Sequence, residues 1–146
     1  MKIILRHLLL IMVVIVAPLY STAQASNIGF VKSVSGEVFV ISSGHTVKAA
    51  PNMGIMQGDS IKTGGNSSAG LIFEDDSIIS LGPNSEIKIE NFLFNPVEEE
   101  LSFVARMIRG TFSFISGQIA KLAPEKVQLE TPSATLGVRG TKFLVK

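Results

Sequence analysis

The sequence predicts an all-β protein with a single domain, and three observations favour this class. From Ile28 onward, apolar and polar residues alternate with a period of two, where a helix would show 3.6. The apolar runs are short and rich in β-branched residues and phenylalanine, which favour strands. Clusters of Gly, Pro, Asn and Ser separate these runs at short intervals, which is typical of strands joined by turns.

The first 25 residues are predicted to be a signal peptide that is cleaved after Ala25. A basic start at Lys2 and Arg6 precedes the apolar run Leu8–Val16, and Ala23-Gln24-Ala25 has the small-residue pattern of a cleavage site. We therefore expect a periplasmic or secreted protein, with no membrane span after cleavage and one all-β domain over residues 26–146. An uncleaved anchor is the alternative, because the apolar run falls only somewhat short of the ~17–25 residues that span a bilayer.

Composition narrows the possible functions. Removal of 25 residues from 146 leaves 121, enough for one domain with a hydrophobic core. Without Lys2 and Arg6, the 13 basic residues become 11 against 12 acidic ones, a balance that does not favour nucleic-acid binding. The chain has no cysteine, so the core must hold the domain without disulfides, and thiol chemistry is excluded.

The domain opens with two short β-rich runs, Phe30–Val34 and Gly36–Ile41. The cluster Ser42–His45 predicts a turn, after which Thr46–Lys48 resumes a strand. Pro51–Gly54 then interrupts the chain again.

The middle of the chain repeats one local pattern, a polar corner directly before an isoleucine that we expect to face inward. Its three copies are Asp59-Ser60-Ile61, Asp76-Ser77-Ile78 and Ser85-Glu86-Ile87. Repeated corners before short strands predict a solenoid-like (β-helix-like) stack of strands. Because the spacing of the copies is not constant, a β-sandwich built from hairpins is the alternative.

The second half continues the β pattern. The acidic run Glu98–Glu100 is predicted to be a solvated hairpin tip, since its oxygens lack the spacing of a calcium loop. Strands are expected on both sides of Arg109-Gly110, and one short helical turn at Gln118–Ala123. In the last element, Val127 and Leu129 should point one way and Gln128 and Glu130 the other.

The residues needed for catalysis are not apparent in the domain. Its one histidine, His45, lies in a Ser/Gly turn, and a catalytic triad requires an oriented base and an oxyanion site. The segment Gly137–Lys142 does not match a phosphate-binding loop. We predict a protein that is not an enzyme and has no cofactor or metal site.

Arg139 is the one polar residue that stands out, because it lies between Gly137 and Gly140 in an apolar neighbourhood, followed by Thr141. A buried arginine needs a partner, so we expect an ion pair with Glu74, Asp75, Asp76 or Asp59 that fastens the C-terminal corner. A site for a ligand carboxylate is the alternative. The test is Arg139→Met, which should lower the melting temperature if the pair is structural.

Six blocks in order give the sequence, from about Gly29 to Val145, a resemblance to the FecR-like domain of bacterial envelope proteins. The blocks are Gly36–Val38, Gly58–Thr63, Ala69–Ser77, Leu81–Ile87, Ile108–Phe112 and Thr131–Phe143. The last block carries the Thr-Pro and Gly-x-Arg-Gly-Thr-x-Phe pattern that makes the resemblance specific.

The resemblance implies an all-β, solenoid-like domain outside the cytoplasmic membrane. In signalling members, such a domain receives a message from an outer-membrane TonB-dependent receptor and passes it to a sigma factor through a membrane helix and a cytosolic segment. Only seven residues precede the apolar run here, so we expect instead a binding or scaffold module for an envelope protein or glycan. A periplasmic signalling accessory that senses such a receptor is the alternative. The closing strand, Phe143–Val145, is expected to leave an open sheet edge for a partner.

Overall fold

The computed structural model describes residues 25–138 and 142–145, with the side chain of Phe143 left aside. This part of the chain forms strands joined by tight turns, with one short helix, α1 (Gln118–Leu122), and a 3₁₀ turn at Pro124–Lys126. The strands are β1 (Gly29–Ser35), β2 (Val38–Ser42), β3 (His45–Lys48), β4 (Gly54–Ile55), β5 (Ser60–Thr63), β6 (Ser68–Phe73), β7 (Ile78–Leu81), β8 (Glu86–Asn95), β9 (Glu100–Arg109), β10 (Phe112–Ile115), β11 (Val127–Glu130), β12 (Thr135–Gly137) and β13 (Lys142–Val145). The prediction of an all-β class is confirmed.

The strands form two sheets. Sheet I has the strand order β13-β10-β7-β6-β1-β4, and sheet II has the order β12-β11-β9-β8-β5-β2-β3. Neighbouring strands are antiparallel, apart from β9 and β11, which run parallel. The chain crosses repeatedly between the sheets, so neither sheet is made from one continuous stretch of sequence.

One hydrophobic core lies between the two sheets. Phe103 of sheet II is fully buried, and its ring centroid lies 4.8 Å from that of Phe73 and 5.6 Å from that of Phe114, both in sheet I. Phe92 of sheet II completes the cluster, 5.2 Å from Phe103. These inter-sheet contacts mean that the inner faces pack against each other, as in a single domain of two layers.

The solenoid-like stack is not confirmed. Successive coils of a solenoid pair in parallel, whereas here the ladders are antiparallel except for one, and the strands divide between two open sheets. The β-sandwich alternative fits this arrangement.

The predicted inward direction holds for two of the three corner isoleucines. Ile61 and Ile87 are fully buried, but Ile78 lies on the outer face of sheet I, and its neighbour Ile79 occupies the core. The reason is the ladder between β6 and β7, which pairs Ile78 with the partly exposed Ile72. Because Ile78 and Ile79 are adjacent and both apolar, the sequence alone does not indicate which of them faces inward.

Other local predictions are confirmed. The helical turn is α1, and Val127 and Leu129 face the core from β11. No helix within residues 25–138 or 142–145 has the length and apolar character needed to cross a membrane.

Candidate functional site

Asp75 is fully buried at the turn between β6 and β7, where its carboxylate joins this turn to the start of α1. Its Oδ1 accepts a hydrogen bond from the amide of Ser77 (3.1 Å). Its Oδ2 accepts from the Ser77 hydroxyl (2.8 Å) and from the amide of Ile119 (3.2 Å). The carboxylate therefore satisfies an amide in the first turn of a helix that is distant in sequence.

The same corner is closed by backbone contacts at Gly117. Its amide donates to the Ser77 hydroxyl (3.0 Å), and the next amide, of Gln118, donates to the carbonyl of Asp75 (2.6 Å). A Cβ at position 117 would collide with the Asp75 carbonyl oxygen and the Ser77 amide nitrogen. Only glycine permits this approach of two backbones.

Asp76 differs from the adjacent Asp75 in exposure, in backbone conformation and in its hydrogen-bond partner. It is exposed, its backbone has φ 66°, and its carboxylate accepts a hydrogen bond from the side-chain amide of Gln118 (2.8 Å). Asp76 therefore forms the turn itself, since aspartate tolerates the left-handed region better than most residues. Glu74, before the buried Asp75, is also exposed.

Asp59 is buried at a separate corner before β5. Its Oδ2 accepts a hydrogen bond from the amide of Met56 (2.9 Å), and its carbonyl accepts from the amide of Ile89 (3.0 Å). The structure therefore does not bring the predicted acidic residues together. Asp59 and Asp75 each hold a different turn.

A third corner links β5, the turn before β8 and the turn before β10. The Thr63 hydroxyl donates to the carbonyl of Gly82 (2.7 Å) and accepts from the amide of Ser85 (2.9 Å). The Ser85 hydroxyl lies 3.0 Å from both the carbonyl and the amide nitrogen of Thr111. Gly110 has φ 90°, and a Cβ there would collide with Ser85.

Sequence reasoning did not single out Thr63, Ser77 or Ser85 as functional, although all three stand in the blocks that carry the resemblance. Each is buried, and in the described residues no buried side-chain nitrogen or oxygen lacks a hydrogen bond. A polar residue at the edge of a short apolar run was the available signal, since a buried polar group needs a partner.

The C-terminal corner is only partly described. Arg139, Gly140 and Thr141 lie outside the described residues, so their predicted roles stay predictions. Gly137 is exposed at the end of β12, is not among the residues with positive φ, and has open space where a Cβ would stand. Gly137 therefore does not adopt the left-handed conformation that glycine can reach.

No catalytic or metal-binding cluster is visible in the part of the chain that the structure describes. His45 is exposed, and its Nδ1 lies 3.2 Å from the carbonyl oxygen of Ser43. Groups of three or more His, Asp or Glu side chains that could hold a metal ion do not occur in residues 25–138 and 142–145.

The outer face of sheet II is charged and held by ion pairs across neighbouring strands. Arg106 of β9 contacts Glu130 of β11 (2.7 Å) and Glu90 of β8 (3.5 Å), and Arg109 contacts Glu86 (3.5 Å). The hydrogen bond that Arg106 donates to the carboxylate of Glu130, together with the negative charge of that carboxylate, raises the pKa of Arg106. The same face also carries apolar side chains, since Leu93 and Ile108 are each 44% exposed, but charged residues are interspersed among them.

The outer face of sheet I is different. A row of large apolar side chains crosses four of its strands, in the register Phe30, Ile72, Ile78 and Ile115. We call this set the apolar row. Phe30 is 44% exposed and Ile115 39% exposed, and the two residues between them are partly exposed.

Beside the apolar row runs a second row of small residues, in the register Ser33, Gly70, Ser80 and Ser113. We call this set the small row. The charged residues on or beside this outer face include Lys32, at the bulge of β1, and Lys142, paired with Ile115, and the exposed Glu74 follows the end of β6 two residues after Ile72. An apolar strip of this kind, with few charges, is typical of a surface that another molecule covers.

A family model described as FecR protein matches residues 59–146, which is more than half of the chain. This chain belongs to the FecR family. A search of the curated proteins found no match, and a search of the solved structures found none either.

The range matched by the FecR model covers the three corners described above. The buried polar residues Asp59, Thr63, Asp75, Ser77 and Ser85 all fall inside the matched range, whereas the first resembling block, Gly36–Val38, precedes it. In this FecR chain the described motif residues therefore hold turns together and do not converge on a reaction centre.

FecR proteins are non-enzymatic regulators of periplasmic signalling and face the periplasm in the cell envelope. Their work depends on partner proteins.

Proposed function

We propose that this chain is a non-enzymatic docking module of a bacterial envelope that binds a protein through the outer face of sheet I. The observation that carries the proposal is the contrast between the two outer faces. Sheet II has ion pairs between strands, while sheet I has the apolar row, which continues in register over four strands, next to the small row. Covering such a row removes apolar area from water at about 25 cal/mol per Å².

A protein partner fits this face better than a glycan. Glycans present many hydroxyl groups, which need polar partners and flat aromatic rings, and the apolar row contains one aromatic residue, Phe30. Its other members are isoleucines, which pack against apolar side chains. The glycan alternative is tested by the same variants on a glycan array.

The proposal includes export and cleavage after Ala25. The expected result is an envelope fraction in which the intact mass corresponds to a chain that begins at Ser26. A mass that retains the first 25 residues would instead support an N-terminal anchor.

The test of docking compares one charge on each outer face. Ile115→Glu places a carboxylate on the apolar row, where a partner would have to bury it, and Leu93→Glu places one at a similarly exposed position on sheet II. After crosslinking in the native envelope, we expect Ile115→Glu to lower the yield of the protein complex at least tenfold and Leu93→Glu to leave it unchanged. Equal yields for both variants and the natural chain would refute docking at this face.

A second candidate is a periplasmic signalling accessory that senses occupancy of an outer-membrane TonB-dependent receptor. The family match favours it, because FecR proteins take part in periplasmic signalling. A reporter of sigma-factor-dependent transcription distinguishes the two. Ile115→Glu should alter the response to receptor ligand if the chain is a signalling accessory, and leave it unchanged if the chain is only a scaffold.

A further inference from the structure

We infer that the occupant of the apolar row is an amphipathic helix with an acidic residue near each end of its apolar stripe. This inference rests on the docking proposed above and names the partner of the same face. Three features carry it: the hydrogen bonding of the sheet, the relief of its outer face and the position of the two lysines.

The middle of sheet I offers no backbone groups to a partner. Strands β6, β7 and β10 each have a ladder on both sides, so their amides and carbonyls are paired within the sheet. A segment lying on this face must therefore satisfy its own backbone hydrogen bonds, or lose several that water had provided. A helix does so internally, whereas an extended peptide cannot.

The face also has a relief that suits a helix. The apolar row carries large side chains and the small row beside it carries small ones, with the Ser33 hydroxyl 2.6 Å from where a Cβ of Gly70 would stand. A helix presents a stripe of apolar side chains at positions i, i+3, i+4 and i+7. Such a stripe can pack over the small row while side chains at its edge contact the apolar row.

The two lysines determine where the acidic residues of the helix should lie and how long the helix should be. Lys32 stands beside Phe30 at one end of the apolar row, and Lys142 pairs with Ile115 at the other end. The lysines lie on β1 and β13, which are separated by four strand spacings of about 4.8 Å, so they are about 19 Å apart. A helix rising 1.5 Å per residue covers this in about 13 residues, so its acidic residues should stand about 11–14 apart.

A second copy of this chain is a poorer occupant. Both ends of the apolar row carry a lysine, so any two-fold stacking of the rows places lysine opposite lysine. A lipid surface is also disfavoured, because the isoleucines are held half-buried in a flat sheet and do not protrude from loops.

The first experiment identifies the occupant directly. A photo-crosslinking amino acid, p-benzoylphenylalanine, replaces Ile78 in the middle of the apolar row, and Leu93 on sheet II in a matched control. After irradiation of cells, the crosslinked peptide is sequenced. We expect position 78 to yield a protein segment with apolar residues at helical spacing and acidic residues 11–14 apart, and position 93 to yield no such segment.

The outcomes separate the inference from the function on which it rests. Crosslinks to an extended segment, to a second copy of this chain or to lipid alone would overturn the helical occupant. No protein adduct at position 78 would overturn both the occupant and the docking face. The captured segment, made as a peptide, should also bind the purified domain, and a central proline should abolish that binding.

The second experiment tests the charges. Lys32→Glu with Lys142→Glu reverses both ends of the apolar row, and Lys62→Glu reverses an exposed lysine on sheet II as the control. We expect the double variant to weaken peptide binding about tenfold and the control to leave it unchanged. Equal weakening by both variants would show that net charge, not the placement of the two lysines, governs binding, and would overturn the acidic ends.

Discussion

At the scale of single residues, the buried polar groups of this domain stand at turns and bind the backbone of other elements. Asp75 and Ser77 join the turn after β6 to α1, and Thr63 and Ser85 join β5 to the turns before β8 and β10. Each group replaces a solvent hydrogen bond by one inside the protein. The net gain is small, but removing one partner leaves the others buried without a bond.

Replacing Asp75 tests this dependence. Asp75→Ala leaves the amides of Ser77 and Ile119 without their acceptor in a fully buried corner. We expect the free energy of unfolding to fall by about 3 kcal/mol, because each unsatisfied amide costs about 1–3 kcal/mol. Urea denaturation measures the change.

Asp76 provides the matched control. Asp76→Asn keeps a residue that tolerates φ 66°, and its side-chain contact is exposed. We expect a change within about 0.5 kcal/mol, as for ordinary surface substitutions. A loss at Asp76 as large as that at Asp75 would contradict the assignment of the buried carboxylate.

Two glycines should respond differently to an added methyl group, because one is tightly packed and the other lies next to open space. Gly117→Ala drives a Cβ into the backbone of the turn at Asp75 and Ser77, so we expect a loss of about 3 kcal/mol or failure to fold. Gly137→Ala enters open space at the end of β12 and should change stability by less than about 1 kcal/mol. Thermal melts of the two variants give the comparison, and similar melting temperatures would refute the close approach at Gly117.

These residue roles were only partly predictable. The sequence indicated that Asp59, Asp75 and Asp76 belong to corners, but it grouped them as possible partners of Arg139. The structure separates them, because Asp59 binds Met56 while Asp75 binds the start of α1. Long-range hydrogen bonds of this kind have no local pattern, since the partner amide can belong to any residue type.

At the scale of elements, β8 shows where alternation predicts a strand and where it fails. Ile87 and Ile89 face the core as their spacing predicts, and the strand then continues to Asn95 with a register shift between Ile89 and Asn91. The shift adds one residue, so Phe92 becomes the next buried residue. A bulge of this kind reverses the inward phase, and a simple period of two cannot follow it.

The inward phase of the β8–β9 hairpin after this bulge can be tested with two side chains. Phe103 is fully buried against three other phenylalanines, so Phe103→Ala should cost about 3–5 kcal/mol. Leu93 is 44% exposed on the opposite face, and Leu93→Ala should cost less than about 1 kcal/mol. Chemical denaturation distinguishes them, and a larger loss at Leu93 would mean that the phase is reversed.

At the scale of the whole molecule, the order of the strands decides how the domain holds together. Consecutive elements alternate between the sheets, as in β1 to β2, β4 to β5 and β9 to β10. The sequence predicted the strands but not the sheet to which each strand belongs. The reason is that a β-sandwich and a solenoid require the same short apolar runs. Antiparallel pairing and the phenylalanine cluster between the sheets distinguish the two arrangements.

The strand order predicts that both sheets unfold in one transition. A solenoid can lose its coils progressively, since each coil contacts only its neighbours. Here neither sheet can separate without exposing the shared core around Phe103, so unfolding should be two-state. The chain has no tryptophan, which allows a single reporter on each sheet.

Phe30→Trp places the reporter on sheet I, and Phe39→Trp places it on the outer face of sheet II. The fluorescence of each variant and its circular dichroism should give the same urea midpoint, because all three signals follow the loss of one core. Phe39→Trp also controls for the effect of the substitution itself, since each variant is compared with its own circular dichroism. Fluorescence and dichroism midpoints that separate within either variant would show that the sheets unfold independently, and the shared core would then not be what couples them.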